Sequence, residues 1–204
     1  TAPSAPVLDT VVDDVGTLTG TLDSGDVTND ARPTFTGSGE VGATIRILVD
    51  DQEIGTAVVN ASGSWTFTPE TALEEGSRSI RFTATDTAGN TGPASDPFIL
   101  TVDTLAPAAP TLTAISDNVG PIQTPITTSG QVTDDALPGL TGTAEANATV
   151  VIYDNGAQVA TVQATETGEW SWTPTTALSN GSHTFTTSAI DAAGNLSETS
   201  PGFR

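Results

Sequence analysis

The chain has 204 residues, with 25 acidic side chains against 5 basic ones and a formal charge of −20. Nucleic acid and anionic membrane surfaces are therefore repelled, and cations and basic surfaces are the partners left. The absence of Cys excludes a disulfide framework and thiolate metal sites, and no apolar run is long enough to span a membrane.

Alternation of apolar and polar residues, not a 3.6-residue period, runs through the chain. In the first half it predicts strands over about 7–12, 33–38, 43–49, 53–60, 64–68, 77–85 and 97–102. Between 43 and 48, for example, Ile45 and Ile47 share one face, and Thr44, Arg46 and Leu48 share the other. Gly (20) and Pro (13) cluster between these runs at the spacing of an all-β sandwich. In the second half, the run 149–153 is followed by Asp154-Asn155-Gly156, a hairpin signal.

The two halves repeat one another. Asp13-Asp14-Val15-Gly16 returns as Asp117-Asn118-Val119-Gly120, a shift of 104. From Pro33 onward the shift is 105: Thr36-Gly37 returns as Thr141-Gly142, Trp65 as Trp170, and Asp86-Thr-Ala-Gly-Asn90 as Asp191-Ala-Ala-Gly-Asn195. A period of that length is one whole domain. The fold class expected is all-β: two tandem antiparallel β-sandwich domains of about seven strands each, covering 1–104 and 105–204. The linker around Asp103-Thr104-Leu105-Ala106-Pro107 is short and Pro-bearing, hence stiff. The second copy has no counterpart of Leu100–Asp103, so both ends are read as cuts within a longer array.

If successive strands run up and down, the 13–32 loop and the end of the last strand share one end of the domain. The 86–97 loop lies at the other. The 13–32 loop is unusually long and holds Asp13, Asp14, Asp23, Asp26, Asn29 and Asp30. Such carboxylates repel one another unless a cation offsets them, and hard oxygen donors suit Ca²⁺. The competing reading is that Asp, Asn and Gly are there for their turn chemistry. Neither an EF-hand loop nor a calcium β-roll nonapeptide is present.

Residues with catalytic potential are scattered. His183, the one His, is expected to face solvent on a strand over 182–188, with no nucleophile and orienting acid nearby. Asp50-Asp51 and Glu74-Glu75 are adjacent pairs, which on a strand point to opposite faces. No phosphate-cradling Gly loop or basic patch exists, so an enzyme is not expected. Trp65, Trp170 and Trp172 are expected to pack in cores. Were Trp170 or Trp172 exposed, sugar stacking would favour a carbohydrate-binding accessory module of a secreted protein.

Taken in order, Asp-Asp-Val-Gly, Thr28-Asn29-Asp30-Ala31-Arg32-Pro33, Gly-x-Trp-x-x-x-Pro, Leu-x-x-Gly-Ser, Asp-x-Ala-Gly-Asn and Val-Asp-Thr-x-Ala-Pro make a set covering both copies. This set resembles the bacterial Ig-like repeats of giant type I-secreted adhesins of the Bap, SiiE and RTX-adhesin type. The resemblance implies Ig-like sandwiches acting as extracellular stalk repeats on the bacterial cell surface, in attachment and biofilm formation. It implies neighbouring repeats of the same chain as partners, host or abiotic surfaces reached through other domains, and neither nucleic-acid binding nor membrane insertion. It also implies Ca²⁺ at domain junctions. The metal-binding residues carried over are Asp13, Asp14, Asp30, Asp86, Asn90 and Asp103 in the first copy, and Asp117, Asp135, Asp191 and Asn195 in the second. Asn118 stands where the first copy has Asp14, which implies a less charged ligand set there.

Overall fold

The structure is a computed structural model describing residues 1–121 and 123–204. It divides into two compact units, Thr1–Leu105 and Ala106–Arg204. Regular structure in the described residues is β, and no helix among them is long and apolar enough to cross a membrane.

In the first unit nine strands form two facing sheets. These are β1 (Val7–Asp13), β2 (Gly20–Thr21), β3 (Val27–Thr28), β4 (Thr34–Ser38), β5 (Thr44–Val49), β6 (Gln52–Val58), β7 (Ser64–Phe67), β8 (Gly76–Thr85) and β9 (Phe98–Val102). One sheet has the order β2-β1-β4-β7 and the other β3-β9-β8-β5-β6. Strong alternation makes the strands amphipathic: Ile45, Ile47 and Val49 are buried on β5, and Arg46 between them is exposed. The inner faces meet in a core of Val11, Phe35, Trp65, Ile80, Phe82, Leu100 and Val102 among others. Trp65 and Phe82 pack with ring centroids 5.0 Å apart.

Two features differ from the expectation. The 13–32 segment is not one structureless loop, because it contains β2 and β3. Two-residue strands carry no periodicity, so only tertiary pairing reveals them. Moreover, β3 runs parallel to β9, with Val27 opposite Thr101 and Thr28 opposite Val102, so the sheet is not purely antiparallel.

The second unit repeats the plan with β10 (Thr111–Ser116), β11 (Gly139–Thr143), β12 (Thr149–Asp154), β13 (Ala157–Gln163), β14 (Glu169–Trp172) and β15 (Phe185–Ile190). Its sheets have the orders β10-β11-β14 and β13-β12-β15. Asn155 (φ 49°) and Gly156 (φ 82°) close the β12–β13 hairpin with two left-handed residues, as a type I′ turn demands. The equivalent turn of the first unit uses Asp50 (φ 50°) and Asp51 (φ 65°). Asp50 accepts hydrogen bonds from the Ser79 amide (2.9 Å) and Arg78 Nη1 (3.0 Å). This acidic pair is therefore turn chemistry.

Candidate cation site

The strand ends sort the acidic residues of each unit into two groups. In the first unit, β1 delivers Asp13 and Asp14 to the end where β9 finishes. The Asp103 amide, just past β9, donates to the Thr28 carbonyl at 2.9 Å. Asp86 and Asn90 follow β8 at the opposite end.

At the first end, a chain of short-range hydrogen bonds folds the loop back on itself. Asp13 Oδ1 accepts from the Val15 amide at 2.8 Å, and Asp13 Oδ2 accepts from the Thr28 hydroxyl. Thr28 Oγ1 accepts from the Asp30 amide (3.0 Å), and Asp30 Oδ1 from the Arg32 amide (2.7 Å). These are Asx and Ser/Thr turns, the local chemistry that favours these residue types in loops. Asp13, Thr28, Asn29 and Asp30 are all buried, whereas Asp14 is exposed.

Turn chemistry does not use up the oxygens. Asp30 Oδ2 and Asn29 Oδ1 are buried with no well-formed hydrogen bond, the Asp14 amide only approaching the Asp30 carboxylate. Leaving such acceptors unpaired costs free energy, about 1–3 kcal/mol each and more for a charged group. Burial pushes the Asp30 carboxyl above the usual carboxylate range of 3.8. The Arg32 and Asp14 amides pull the other way, and the Asp13 and Asp14 charges push it up further. A positive charge placed there would relieve both the burial penalty and the repulsion. Two buried, unpaired hard oxygens beside two carboxylates fit a hard cation such as Ca²⁺. Among the described residues, however, no three His, Cys, Asp or Glu side chains are arranged to hold a metal ion by themselves. Asn29 was recognisable in sequence as part of the loop but gave no sign that its carbonyl would be buried and unpaired.

Asp103 Oδ1 accepts from the Leu105 amide at 3.1 Å, and Asp103 is half-buried. Its backbone bond to Thr28 brings it next to the Asn29–Asp30 turn.

The second unit repeats the turns but not the unpaired oxygens, because Asp135 Oδ2 accepts from the Asn118 amide at 3.4 Å. Asp117 accepts from the Val119 amide (3.3 Å), Asp135 Oδ1 from the Leu137 amide (2.8 Å), and Thr133 Oγ1 from the Asp135 amide (2.9 Å). Asn118 stands at the position of Asp14, and Asp134 at the position of Asn29. Asn29 packs against Gly16, and its counterpart Asp134 packs against Gly120. Asn29 is buried, whereas Asp134 is exposed.

The other four candidates make a different structure. Asp86 Oδ1 accepts from the Ala88 (2.9 Å) and Asn90 (2.8 Å) amides, and Oδ2 from Asn90 Nδ2 (2.8 Å). Those bonds, the Asn90 side chain foremost, hold the Asp86 carboxyl below its usual range. Gly89 (φ 86°) supplies the left-handed turn. Asp191 and Asn195 repeat the pattern at 2.9 Å for each bond, with Gly194 at φ 92°. The Asp of Asp-x-Ala-Gly-Asn therefore organises its own turn. These pairs stand apart from the buried cluster of their own unit.

His183 differs from expectation. It lies before β15, not within it, and is half-buried against Phe185, with ring centroids 6.2 Å apart. Its Nε2 faces the Ser179 carbonyl (2.9 Å), and its Nδ1 faces Asp154 Oδ2 (2.6 Å). Two acceptors on two ring nitrogens favour the doubly protonated ring, so its pKa is raised above 6.5, by the Ser179 carbonyl first and Asp154 next. A raised His pKa contributes stability that is fully present below 6.5 and is lost as pH rises through the folded value. An NMR titration should find His183 titrating above 6.5, and Asp154→Asn should bring it back toward that value. No change on substitution would remove Asp154 as a cause.

Trp65 and Trp170 are buried, and Trp172 is half-buried against the second core. None of the large hydrophobic residues exposed among the described residues is aromatic. The aromatic platform needed for sugar stacking is thus not formed by Trp170, and Trp172 is largely used in packing.

No curated protein matches the chain in sequence. Among solved structures, it is similar to fibronectin(III)-like modules of Clostridium thermocellum CbhA, at 14% identity over 93% of this chain and 90% of that one, with a TM-score of 0.52. A bacterial ice-binding adhesin of 1.5 MDa matches at 21% identity over 96% of this chain and 62% of that one, TM-score 0.41. The BSP domain of a biofilm-associated protein matches at 19% identity over 89% and 28%, TM-score 0.34. The profile of the bacterial Ig-like domain matches residues 5–104 and again 113–204, so the chain belongs to that family, as two tandem copies.

Proposed function

We propose that the two domains are spacer repeats in the extracellular stalk of a bacterial surface adhesin, serving attachment and biofilm formation, and that Ca²⁺ at domain junctions stiffens the stalk. The observation that carries the metal reading is the pair of buried, unpaired oxygens, Asn29 Oδ1 and Asp30 Oδ2, beside Asp13 and Asp14. Family membership supports the repeat architecture. Without a cation, the ionised cluster is both desolvated and self-repelling. One unit alone supplies too few side-chain ligands for a cation that takes 6–8 oxygens. Water, backbone carbonyls, Asp103 and the Asp191–Asn195 turn of an adjoining repeat complete the set in this reading. Ligands drawn from two repeats would fix the angle between them, which is the mechanical role. Asp86 and Asn90 would serve a preceding repeat in the same way, and Asp117 and Asp135 a following one. The function is mechanical, not catalytic, and its partners are neighbouring repeats.

The test is the stability of Asp30→Asn with and without metal. The raised carboxyl means that the folded state binds a proton more tightly than the unfolded chain, so ionised Asp30 is a destabilising group at neutral pH. Its cost is relieved as pH falls through the folded value. In chelator at pH 7, Asp30→Asn should therefore be as stable as the parent or more so. In about 10 mM Ca²⁺, the parent should gain roughly 1.4–2.7 kcal/mol if the dissociation constant is about 10⁻³–10⁻⁴ M, and the variant should gain far less. Equal gains in parent and variant, read by thermal melts, would remove Asp30 from the metal site.

A further inference from the structure

The two units fasten the same loop with different chemistry. At the 105-residue shift, His183 stands where the first unit has Arg78, and Ser179 where it has Glu74. Arg78 Nε donates to the Glu74 carbonyl at 2.9 Å, and Nη1 donates to Asp50, in the β5–β6 turn, at 3.0 Å. His183 reproduces both contacts. Its Nε2 faces the Ser179 carbonyl at 2.9 Å, and its Nδ1 faces Asp154, the last residue of β12, at 2.6 Å. In each unit one side chain thus holds the carbonyl four residues before it and a carboxylate of the neighbouring hairpin. Arg78 does so within β8, opposite Leu100 on β9, so the arrangement does not depend on an open strand edge.

A guanidinium keeps its charge and its donors across the accessible pH range. An imidazole presents a donor at both nitrogens only when doubly protonated. Neutral His183 must turn one lone pair toward an acceptor, either the Ser179 carbonyl or the Asp154 carboxylate. Asp154 then loses its counter-charge. Its Oδ1 is already buried without a partner, and no other basic side chain among the described residues lies within 4.0 Å of it. Asp154 is likewise the one carboxylate within 4.0 Å of a ring nitrogen among those residues. The other ionisable groups lining the cavity beside the ring are Asp134, Asp135 and Arg204, and Arg204 Nε donates to Ser182 Oγ at 2.7 Å. The ends of the loop are pinned without the ring: the Leu178 amide donates to the Ala136 carbonyl at 2.8 Å, and the Thr184 amide to Asn155 Oδ1 at 3.0 Å. Ser179, between them, makes its one hydrogen bond among the described residues to His183. The sequence has no Lys, no Cys and no second His, so His183 is the one side chain whose ordinary titration falls between about pH 5 and 8.

We propose that the 179–183 loop of the second unit is a pH-operated latch, closed by doubly protonated His183 between Asp154 and the Ser179 carbonyl and opened when the ring loses a proton, whereas Arg78 keeps the equivalent loop of the first unit closed throughout. The ring's raised pKa, set by the Ser179 carbonyl first and Asp154 next, fixes the direction. The latch is fully closed below 6.5 and opens as pH rises through the folded value. It uses none of the candidate cation ligands, so it is independent of the cation reading above.

The test is carbon-detected NMR of the full ¹³C,¹⁵N-labelled chain, titrated from about pH 5.5 to about pH 9. The backbone carbon shifts of 179–181 should move toward random-coil values with the same midpoint as the His183 ring, while those of 74–76 stay fixed. The ratio of open to closed loop should rise by up to about tenfold per pH unit above 6.5, because opening releases one proton. His183→Gln, neutral at every pH, should show the open shifts across the whole range. The proposal is overturned by any of four results: a ring that titrates while the 179–181 shifts stay fixed, the same pH-dependent movement at 74–76, a His183→Gln variant that keeps the parent's pH dependence, or one that keeps the parent's low-pH shifts throughout.

Discussion

Trp65→Ala should destabilise the first unit by about 3–5 kcal/mol, the largest loss expected from any single truncation in this chain. Aromatics are only 5% of the sequence, so each buried ring fills a large share of a core otherwise built from Val, Ile, Leu and Ala. Trp65 is 1% exposed and sits at the centre of that core, against Phe82, which in turn packs on Phe35 at 6.0 Å. Its Nε1 donates to the Ser38 carbonyl at 3.3 Å on the neighbouring strand. Truncation removes the ring contacts, opens a cavity between two sheets pinned by backbone ladders, and leaves that carbonyl without its donor. Urea unfolding followed by far-UV circular dichroism measures the loss. A cost below about 1 kcal/mol would mean that the sheets collapse into the gap, contrary to the close packing described above.

Gly142→Ala should destabilise the second unit, by about 1–3 kcal/mol or more. The sign is informative, because Ala in a strand interior normally improves on Gly by roughly 0.5–1 kcal/mol. Gly142 lies directly opposite Trp170 in the β11–β14 ladder and opposite Leu112 in the β10–β11 ladder. A Cβ at 142 would overlap the Trp170 ring and the Thr111 carbonyl oxygen. The carbonyl belongs to the bulged edge of β10 and cannot rotate away. Gly37 has the same relation to Trp65 and the Val7 carbonyl. The repeated Thr-Gly pair in the sequence is therefore the seat of the repeated Trp. Stabilisation by Ala in a chemical melt would contradict this account.

Much of this was legible in the sequence because it rests on short-range pattern. Period-two alternation located the seven longer strands of the first unit, since most of them bury one face. Asn155-Gly156 announced its hairpin through backbone conformation alone. The internal shift of 104–105 residues revealed two domains without any fold knowledge. What escaped depends on contacts distant in sequence. β2 and β3 exist only through pairing to β1 and β9. His183 looked like an exposed strand residue, because nothing local shows that Asp154, 29 residues away, meets its ring. Among the candidate ligands, composition could not separate Asp30, with a buried unpaired oxygen, from Asp86, whose carboxylate is already held by its own turn.

The central claim is that cation binding at these clusters stiffens the chain. Small-angle X-ray scattering in millimolar Ca²⁺ and again in chelator tests it most directly. The account predicts a longer, single-shape particle in Ca²⁺ and a flexible ensemble in chelator, with Asp103→Ala in Ca²⁺ resembling the chelated parent. Superimposable curves in the two conditions would contradict it, and would leave a plain pair of bacterial Ig-like domains whose carboxylates do no mechanical work.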